Sequence, residues 1–211
     1  MEGGIAVGKS SLLEYLEKTS SINTTPEPIE QWINNQSGIN MLNDFYSNIN
    51  NAFVFQMWIL YTLKNRKLPN SKLRVIERLY GNSIFTRVLS HHLSKVEEYV
   101  LGHYERDYIM NLPKIHLIIF LRCNSEENLK RIKKRGRPEE KNISLNYLEK
   151  INNAHDLLFL DKEFLKLINT FVWVVDCNKD MNAMEHIYKK ISNDLVTFVE
   201  HKDTYQTITY Y

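Results

Sequence analysis

The chain has 211 residues, of which 43% are hydrophobic, and this is enough for one sizeable core in a single domain. Its 27 lysines and arginines nearly balance 25 aspartates and glutamates, so the net charge gives no general attraction to nucleic acid or to an anionic membrane. Cys123 and Cys177 are too few for a disulfide framework, and the longest apolar run, Ile115 to Leu121, is far shorter than the roughly 20 residues of a membrane helix. Composition therefore predicts a soluble, cytoplasmic protein without a nucleic-acid or membrane partner.

The first eighteen residues, MEGGIAVGKSSLLEYLEK, contain a phosphate-binding pattern. Gly3, Gly8, Lys9 and Ser10 meet G-x-x-x-x-G-K-[ST], in which the glycines let backbone amides approach a phosphate, the lysine neutralises it and the serine hydroxyl ligates Mg²⁺. Helical spacing of apolar residues predicts a helix from Lys9 that ends near Thr19. The alternative is an ordinary glycine-rich turn before a helix. The predicted ATP-binding residues of this loop are Gly3, Gly4, Ile5, Ala6, Val7, Gly8, Lys9, Ser10 and Ser11.

Further along the chain, helical stretches alternate with short apolar runs. Between Ile39 and Lys64 the apolar spacing predicts two helices that are broken around SNINN. The runs Leu73 to Glu77, Ile115 to Cys123 and Phe171 to Cys177 predict buried parallel strands. This alternation predicts an α/β domain whose ligands bind at the carboxyl ends of the strands.

The domain is expected to span residues 1–199. Residues 200–211 lack a helical period, so we expect them to form a loosely held polar tail.

Two acidic residues are placed where a strand is expected to end. Glu27 stands before Pro28 in PEPIEQW, which favours an extended backbone, and Glu77 ends RVIE and is followed by Arg78. Carboxylates on two strands beside a phosphate loop offer a base for a hydroxyl nucleophile and a partner for Mg²⁺. The alternative is that both form ion pairs with surface lysines or arginines.

The densest basic segment, LKRIKKRGRPEE, follows the second predicted strand. It can be the solvated face of a helix, a nuclear-import or RNA-binding patch, or a mobile lid that brings arginines onto a transferring phosphoryl group. After a strand of a phosphate-binding domain, the lid is the favoured interpretation. The basic residues of this segment are Lys130, Arg131, Lys133, Lys134, Arg135 and Arg137.

Five segments in this order and spacing, GGIAVGKSS, PEPIEQW, FQMW, VIER and RIKKRGRPEE, resemble the deoxyribonucleoside kinase family. This family includes the deoxycytidine, deoxyguanosine and mitochondrial thymidine kinases and the insect multisubstrate enzyme. The likeness extends from Glu2 to about Val199. It implies a P-loop kinase fold with a parallel sheet flanked by helices, transfer of the γ-phosphate of ATP to a deoxynucleoside 5′-hydroxyl, and a homodimer.

The resemblance also implies a role for each matching residue. Glu27 is the base at the 5′-hydroxyl with Arg78 beside it, and Ser10 and Glu77 organise Mg²⁺. The catalytic set is completed by Lys9, Arg135 and Arg137, and the ATP contacts are completed by Arg131 and Arg135. The implied substrate-binding residues are Glu27, Trp32, Tyr46, Gln56, Arg78, Asn82 and Glu140.

Two departures concern the base pocket. The family usually continues Glu-Arg with Ser, whereas this chain reads ERLYGNSIFTR, so either Asn82 lies near the base or Phe85 or Arg87 takes that place. Leu63 stands seven residues after Gln56, where members that prefer deoxycytidine and purines tend to carry arginine. An apolar residue there resembles the thymidine-accepting members and favours a pyrimidine.

A third departure concerns the first strand. Family members have an apolar central strand before the phosphate loop, of which only Met1 and Glu2 remain here. Removing a central strand leaves buried backbone groups unpaired, at about 1 to 3 kcal/mol each. We therefore expect this strand to be largely missing from the printed chain, and Met1 to be an internal or misassigned start.

Two other functions remain open at this point. A nucleoside monophosphate kinase of the thymidylate type also has a phosphate loop, an early Glu-Pro and a lid. A catalytically dead nucleotide-binding relative would also account for the short first strand and the altered ERLYGNS segment.

Overall fold

The computed structural model describes residues 1–35, 37–201 and 208–210. Most of the chain between Lys9 and His201 is helical. The helices are α1 Lys9–Thr19, α2 Ile29–Ile33, α3 Met41–Ser47, α4 Ala52–Lys64, α5 Gly81–Leu89, α6 Lys95–Met110, α7 Ser125–Arg135, α8 Leu145–Phe159, α9 Lys162–Leu167 and α10 Met181–His201. The strands are β1 Glu2–Gly3, β2 Asn23–Thr25, β3 Arg74–Ile76, β4 Leu117–Arg122, β5 Phe171–Asp176 and β6 Ile208–Tyr210.

The strands form parallel ladders in the order β1-β4-β5-β6, with β2 paired to β3. Met1 joins the two groups, because its amino nitrogen donates to the Ile76 carbonyl at 2.7 Å and its own carbonyl accepts from the Arg78 amide at 3.0 Å. The resulting order is β2-β3-β1-β4-β5-β6. The α/β fold with a parallel sheet is therefore confirmed, and the short first strand lies in the middle of the sheet, as expected.

Helices cover both faces of the sheet. On one face, α1 and α10 pack on β4 and β5 through Leu12, Leu16, Trp173 and Ile191. On the other face, α5 and α8 cover Phe120 and the same two strands. A separate apolar cluster, with Trp32, Phe45, Phe55 and Leu101 among its members, holds α2, α3, α4 and α6 together at the side of the sheet. These packed layers leave the ends of β1, β2 and β3 facing an open cleft.

Most predicted elements are confirmed. The first helix ends at Thr19, and a 3-10 turn over Ile49–Asn51 separates α3 from α4 near the predicted break. Strands β3, β4 and β5 lie within the three predicted runs. Among the described helices, none is both long and apolar enough to cross a membrane.

The end of the chain differs from the expected loosely held tail. Helix α10 extends to His201, and Ile208–Tyr210 add a parallel strand to β5. Tyr210 is buried against Trp173, and its hydroxyl donates to Asp194 at 2.8 Å. The pairing with β5 and the burial of Tyr210 therefore connect Ile208–Tyr210 to the sheet. Residues 202–207 and 211 lie outside the described residues.

Gly3→Ala should destabilise the fold, because Gly3 has a φ of 145° and a Cβ there would lie 2.5 Å from the Leu121 carbonyl oxygen. We expect backbone strain of about 1 to 2 kcal/mol and overpacking of about 1 to 3 kcal/mol in the free energy of unfolding. Gly136→Ala is the matched control, because Gly136 has a φ of 70° and open space around its Cβ position. Thermal unfolding of both variants measures the difference, and equal losses would contradict a steric role for Gly3.

Candidate active site

A cavity of about 720 Å³ opens at the carboxyl ends of β1, β2 and β3. Its walls come from the phosphate loop, from α4 and α5, and from the segment between α7 and α8. Most residues that the sequence analysis singled out line this cavity. These are Gly3, Ile5, Ala6, Val7, Gly8, Lys9, Ser10, Ser11, Glu27, Trp32, Tyr46, Gln56, Glu77, Arg78, Arg131, Arg135, Arg137 and Glu140.

The phosphate loop connects β1 to α1 through left-handed backbone positions. Gly3, Ala6 and Gly8 have φ values of 145°, 56° and 111°, and Gly8 caps the N-terminus of α1. Such alternation turns successive amides toward one side and creates a concave anion-binding surface. The Lys9 ammonium lies across this loop, donating to the Gly3 and Gly4 carbonyls at 3.0 and 2.7 Å. Gly4 itself lies outside the cavity, with Asn152 against its Cα.

Glu27 and Arg78 form a buried ion pair at the ends of β2 and β3. Arg78 Nη1 donates to Glu27 Oε1 at 3.0 Å, and the side chains are only 8% and 13% exposed. Burial would raise the pKa of Glu27, but the Arg78, Lys9 and Arg66 cations outweigh it and hold this pKa below its ordinary value. Glu27 is therefore an ionised carboxylate, which can accept a proton or a hydrogen bond.

Glu77 lies beside this pair with less compensation for its charge. Its Oε2 accepts from the Glu27 amide at 3.2 Å, and the Lys9 ammonium is 3.9 Å from its Oε1. Burial and the neighbouring Glu27 carboxylate raise the pKa of Glu77. A further cation beside Glu77 would stabilise the ionised form of this carboxylate.

The residues present fit a magnesium ion that is shared with phosphates. Within the ranges that the structure describes, no group of three or more His, Cys, Asp or Glu side chains forms a complete metal cage. Mg²⁺ characteristically uses one or two protein oxygens, together with water and phosphate oxygens. Glu77, with its incompletely compensated charge, and the exposed Ser10 hydroxyl at the start of α1 supply such oxygens in the same cavity.

The basic segment forms the last turns of α7 and the loop that follows it. Arg135 and Arg137 both bind Glu140, at 2.5 and 3.3 Å, and this carboxylate is buried. Arg131 instead donates to the carbonyls of Val7 and Cys177, at 3.3 and 2.6 Å. One arginine thus fixes α7 to the phosphate loop, while two others line the cavity with their charges paired to Glu140.

Aromatic residues and one amide line the far end of the cavity. Trp32 donates from Nε1 to the Thr62 hydroxyl at 2.9 Å, and its ring packs edge-on against Phe55. Phe45 stacks on the other side of Phe55, with ring centroids 4.7 Å apart. Gln56 is 1% exposed, and its Oε1 has no hydrogen-bond partner within the described residues. A planar ligand that donates a hydrogen bond would satisfy this oxygen.

Asn82, which the first alternative from the sequence placed near the base, is not part of the cavity wall. Asn82 faces away from the cavity, and its amide donates to the buried Glu105 at 2.9 Å. The shortened segment after Arg78 leads directly into α5, which turns Asn82 toward α6. Phe85, one helical turn later, lines the cavity instead, and the Arg78 guanidinium lies 4.0 Å from its ring centroid. Of the residues in the two alternatives from the sequence, Phe85 lines the cavity, and Asn82 and Arg87 do not.

Several cavity residues were missed by the sequence analysis. Tyr147 on α8 lines the cavity, and its buried hydroxyl has no partner in the part of the chain that the structure describes. His155 on the same helix is also part of the wall, and burial lowers its pKa to about 3, so its imidazole is neutral. Glu2 also lines the cavity, and it binds the backbone beside Arg78, as does Arg66, which is not part of the cavity wall. No motif marks these residues, because long-range packing brings them to the site.

Comparison with known proteins identifies a family. A family model described as deoxynucleoside kinase matches residues 1–200. Thymidine kinase 2, mitochondrial, of Macaca fascicularis is 30% identical over 205 residues, which cover 93% of this chain and 77% of that protein. Deoxycytidine kinase 2 of Gallus gallus is 29% identical over 216 residues, which cover 85% of this chain and 82% of that protein.

A solved structure shares the fold. The structure of deoxyadenosine kinase from M. mycoides with bound dCTP matches with a TM-score of 0.70 at 22% identity. The match covers 91% of this chain and 96% of that chain. At this identity the likeness supports the fold.

Asn82→Ala should lower the free energy of unfolding by about 1 to 3 kcal/mol, because it removes a hydrogen bond from the buried Glu105 carboxylate. Chemical denaturation measures this loss. Asn153→Ala on the exposed face of α8 is the control, with an expected change within about 0.5 kcal/mol. Two variants of equal stability would contradict the structural role of Asn82.

Proposed function

Because this chain belongs to the deoxynucleoside kinase family, we propose that it transfers the γ-phosphate of ATP to the 5′-hydroxyl of a deoxynucleoside and prefers a pyrimidine. The observation that carries this proposal is the position of Glu27. Its ionised carboxylate lies in the same cavity as the phosphate loop, 3.0 Å from Arg78 Nη1. A base beside a phosphate-binding loop suits transfer to a hydroxyl group.

In the proposed reaction, Glu27 accepts the proton of the 5′-hydroxyl as its oxygen attacks the γ-phosphorus. Arg78 keeps Glu27 ionised and aimed, and its contact with the Phe85 ring restrains the guanidinium from a second side. Lys9 and the amides of the phosphate loop neutralise the transferring phosphates. The bond from the γ-phosphorus to its bridging oxygen breaks, and the leaving group, ADP, keeps its phosphates on the loop.

The arginines after α7 supply further positive charge. Arg135 and Arg137 are held by Glu140 at the cavity wall, so a modest exchange of partners would bring them onto a phosphate. Arg131, with its bonds to Val7 and Cys177, keeps α7 against the loop during this exchange. Glu140 and Tyr46 are the proposed ligands of the sugar 3′-hydroxyl.

Magnesium belongs to the proposal as a cofactor. Ser10 and Glu77 would hold it, and the bound ion supplies charge neutralisation at the phosphate oxygens. The raised pKa of Glu77 supports this assignment, because a cation beside this carboxylate would offset its burial and its repulsion from Glu27.

The proposed base contact is Gln56, whose buried oxygen suits a donor on the Watson–Crick edge of a pyrimidine. Trp32 and Phe45 line the cavity around it. Leu63, near the end of α4, is 4% exposed in the apolar cluster and is not part of the cavity wall. The pyrimidine preference is therefore supported by Gln56 and by the family comparison, not by the position of Leu63.

A homodimer is also proposed, with the adjacent helices α4 and α6 as its interface. Their outer faces expose Val54, Tyr61, Tyr99 and Tyr104, which are 55%, 59%, 71% and 51% accessible. Exposed apolar and aromatic side chains on two adjacent helices favour burial against a partner. Sedimentation equilibrium of the purified protein measures the mass in solution, and a monomer at micromolar concentration would overturn the proposal.

A cytoplasmic location stays a prediction. Cys123 and Cys177 are free thiols, which fits a reducing compartment. The similar primate proteins are named mitochondrial, so cell fractionation is the measurement that decides between the two compartments.

An acceptor panel tests the function. Each common deoxynucleoside and thymidine monophosphate is incubated with the protein, ATP and Mg²⁺, and the products are separated by chromatography. We expect thymidine or deoxycytidine to give the highest kcat/KM. Phosphorylation of thymidine monophosphate alone would identify a monophosphate kinase, and ATP binding without any product would identify a catalytically inactive relative.

Glu27→Gln should lower kcat by about 10² to 10⁴, because the amide keeps the shape of the side chain but cannot accept a proton. ATP affinity, measured by calorimetry, should change by no more than a few fold. Glu30→Gln is the control, since Glu30 lies on the exposed side of α2. A Glu27→Gln protein that keeps more than about a tenth of the wild-type kcat, with chemistry rate-limiting, would remove Glu27 as the base.

A further inference from the structure

Arg78 has an unusual backbone conformation for an arginine. Its φ is 53°, in the left-handed region that residues with a Cβ rarely adopt. It stands between the end of β3 and the start of α5, and it directs its guanidinium at Glu27. A strained residue in a catalytic pair persists only where its surroundings hold it.

Arg66 binds backbone carbonyl groups of this segment. Its Nη1 donates to the Glu77 carbonyl at 2.6 Å, and its Nη2 donates to the Arg78 carbonyl at 2.9 Å. The same Nη1 is 3.4 Å from the Pro26 carbonyl, directly before Glu27. One guanidinium therefore connects the backbone that carries the base with the backbone that carries its arginine partner.

Glu2 binds backbone amide groups of the same segment. Its Oε1 accepts from the Leu79 amide at 2.7 Å and from the Tyr80 amide at 2.8 Å, and the residue is 2% exposed. The preceding amide, that of Arg78, donates to the carbonyl of Met1. Three successive amides are thus bound from the β1 side, while the carbonyls of Glu77 and Arg78 are bound by Arg66.

We propose that Glu2 and Arg66 are positioning residues for phosphoryl transfer, which fix Arg78 in its left-handed conformation and set its distance from Glu27. This rests on the proposed function of the site. Both residues act through the backbone of the segment from Glu77 to Tyr80. The charged hydrogen bonds from Glu2 and Arg66 offset the backbone strain at Arg78. They thereby restrict its guanidinium to a single orientation.

The test compares kcat with the Michaelis constants in matched variants. Arg66→Met and Glu2→Met remove the hydrogen bonds at similar side-chain length. Glu2→Gln keeps an oxygen that can accept from Leu79 and Tyr80, and Arg66→Lys keeps the charge without the fork. Arg74→Met is the control, because Arg74 also binds a carbonyl, but that of Pro69 at 2.9 Å, outside the segment from Glu77 to Tyr80.

We expect kcat to fall about 10- to 100-fold in Arg66→Met and Glu2→Met, with KM for ATP within about twofold of wild type. Glu2→Gln should restore kcat to within about threefold, Arg66→Lys should be intermediate, and Arg74→Met should resemble the wild type. Unchanged kcat in both Met variants would overturn the proposal. A fall that matches the loss of folded protein or of ATP affinity, with no rescue by Gln, would also overturn it.

A crystal structure of Arg66→Met separates this proposal from the proposed function. The Arg78 guanidinium should leave Glu27, so that the 3.0 Å contact is lost. Retention of that contact would contradict a positioning role, whatever the activity. A wild-type protein that phosphorylates no acceptor would instead overturn the proposed function, while the variant structure still reports on the positioning.

Discussion

The ion pair between Glu27 and Arg78 is the interaction on which the arrangement of the cavity depends. Two charges that are almost completely removed from water are costly, and they persist only when further hydrogen bonds and countercharges surround them. Lys9 and Glu77 provide the neighbouring charges, and Arg66 adds a third cation near the pair. Positive and negative groups therefore nearly balance at the base of the cleft. This balance keeps Glu27 ionised in a buried position.

The parallel sheet brings these groups together. Because β1, β2 and β3 run in the same direction, the residues after their carboxyl ends meet at one edge of the sheet. The phosphate loop follows β1, Glu27 follows β2, and Glu77 and Arg78 follow β3. Although β1 consists only of Glu2 and Gly3, it fixes the separation of β3 and β4, since Met1 binds Ile76 and Arg78.

The segment after α7 differs in character from this fixed base. Arg135 and Arg137 are about one third exposed, and both are paired with the same buried carboxylate of Glu140. Partly exposed arginines of this kind can exchange a carboxylate partner for a phosphate at little cost, because both partners accept the same bidentate hydrogen bonds. The cavity thus combines a buried ion pair at its base with partly exposed arginines at its wall.

The sequence alone determined the phosphate loop, the first helix, strands β3, β4 and β5 and most of the cavity residues. These features follow from local rules: a glycine pattern, an apolar period and carboxylates at strand ends. The tertiary structure alone decided that Phe85, not Asn82, lines the cavity, that Tyr210 belongs to a strand, and that Glu2 and Arg66 bind the backbone beside Arg78. Those outcomes depend on contacts between residues that are far apart in the chain, such as Asn82 with Glu105, 23 positions apart, and Glu2 with Leu79, 77 positions apart. No local sequence pattern predicts these contacts, because they form, and contribute to the free energy of folding, only when the sheet and its helices have packed.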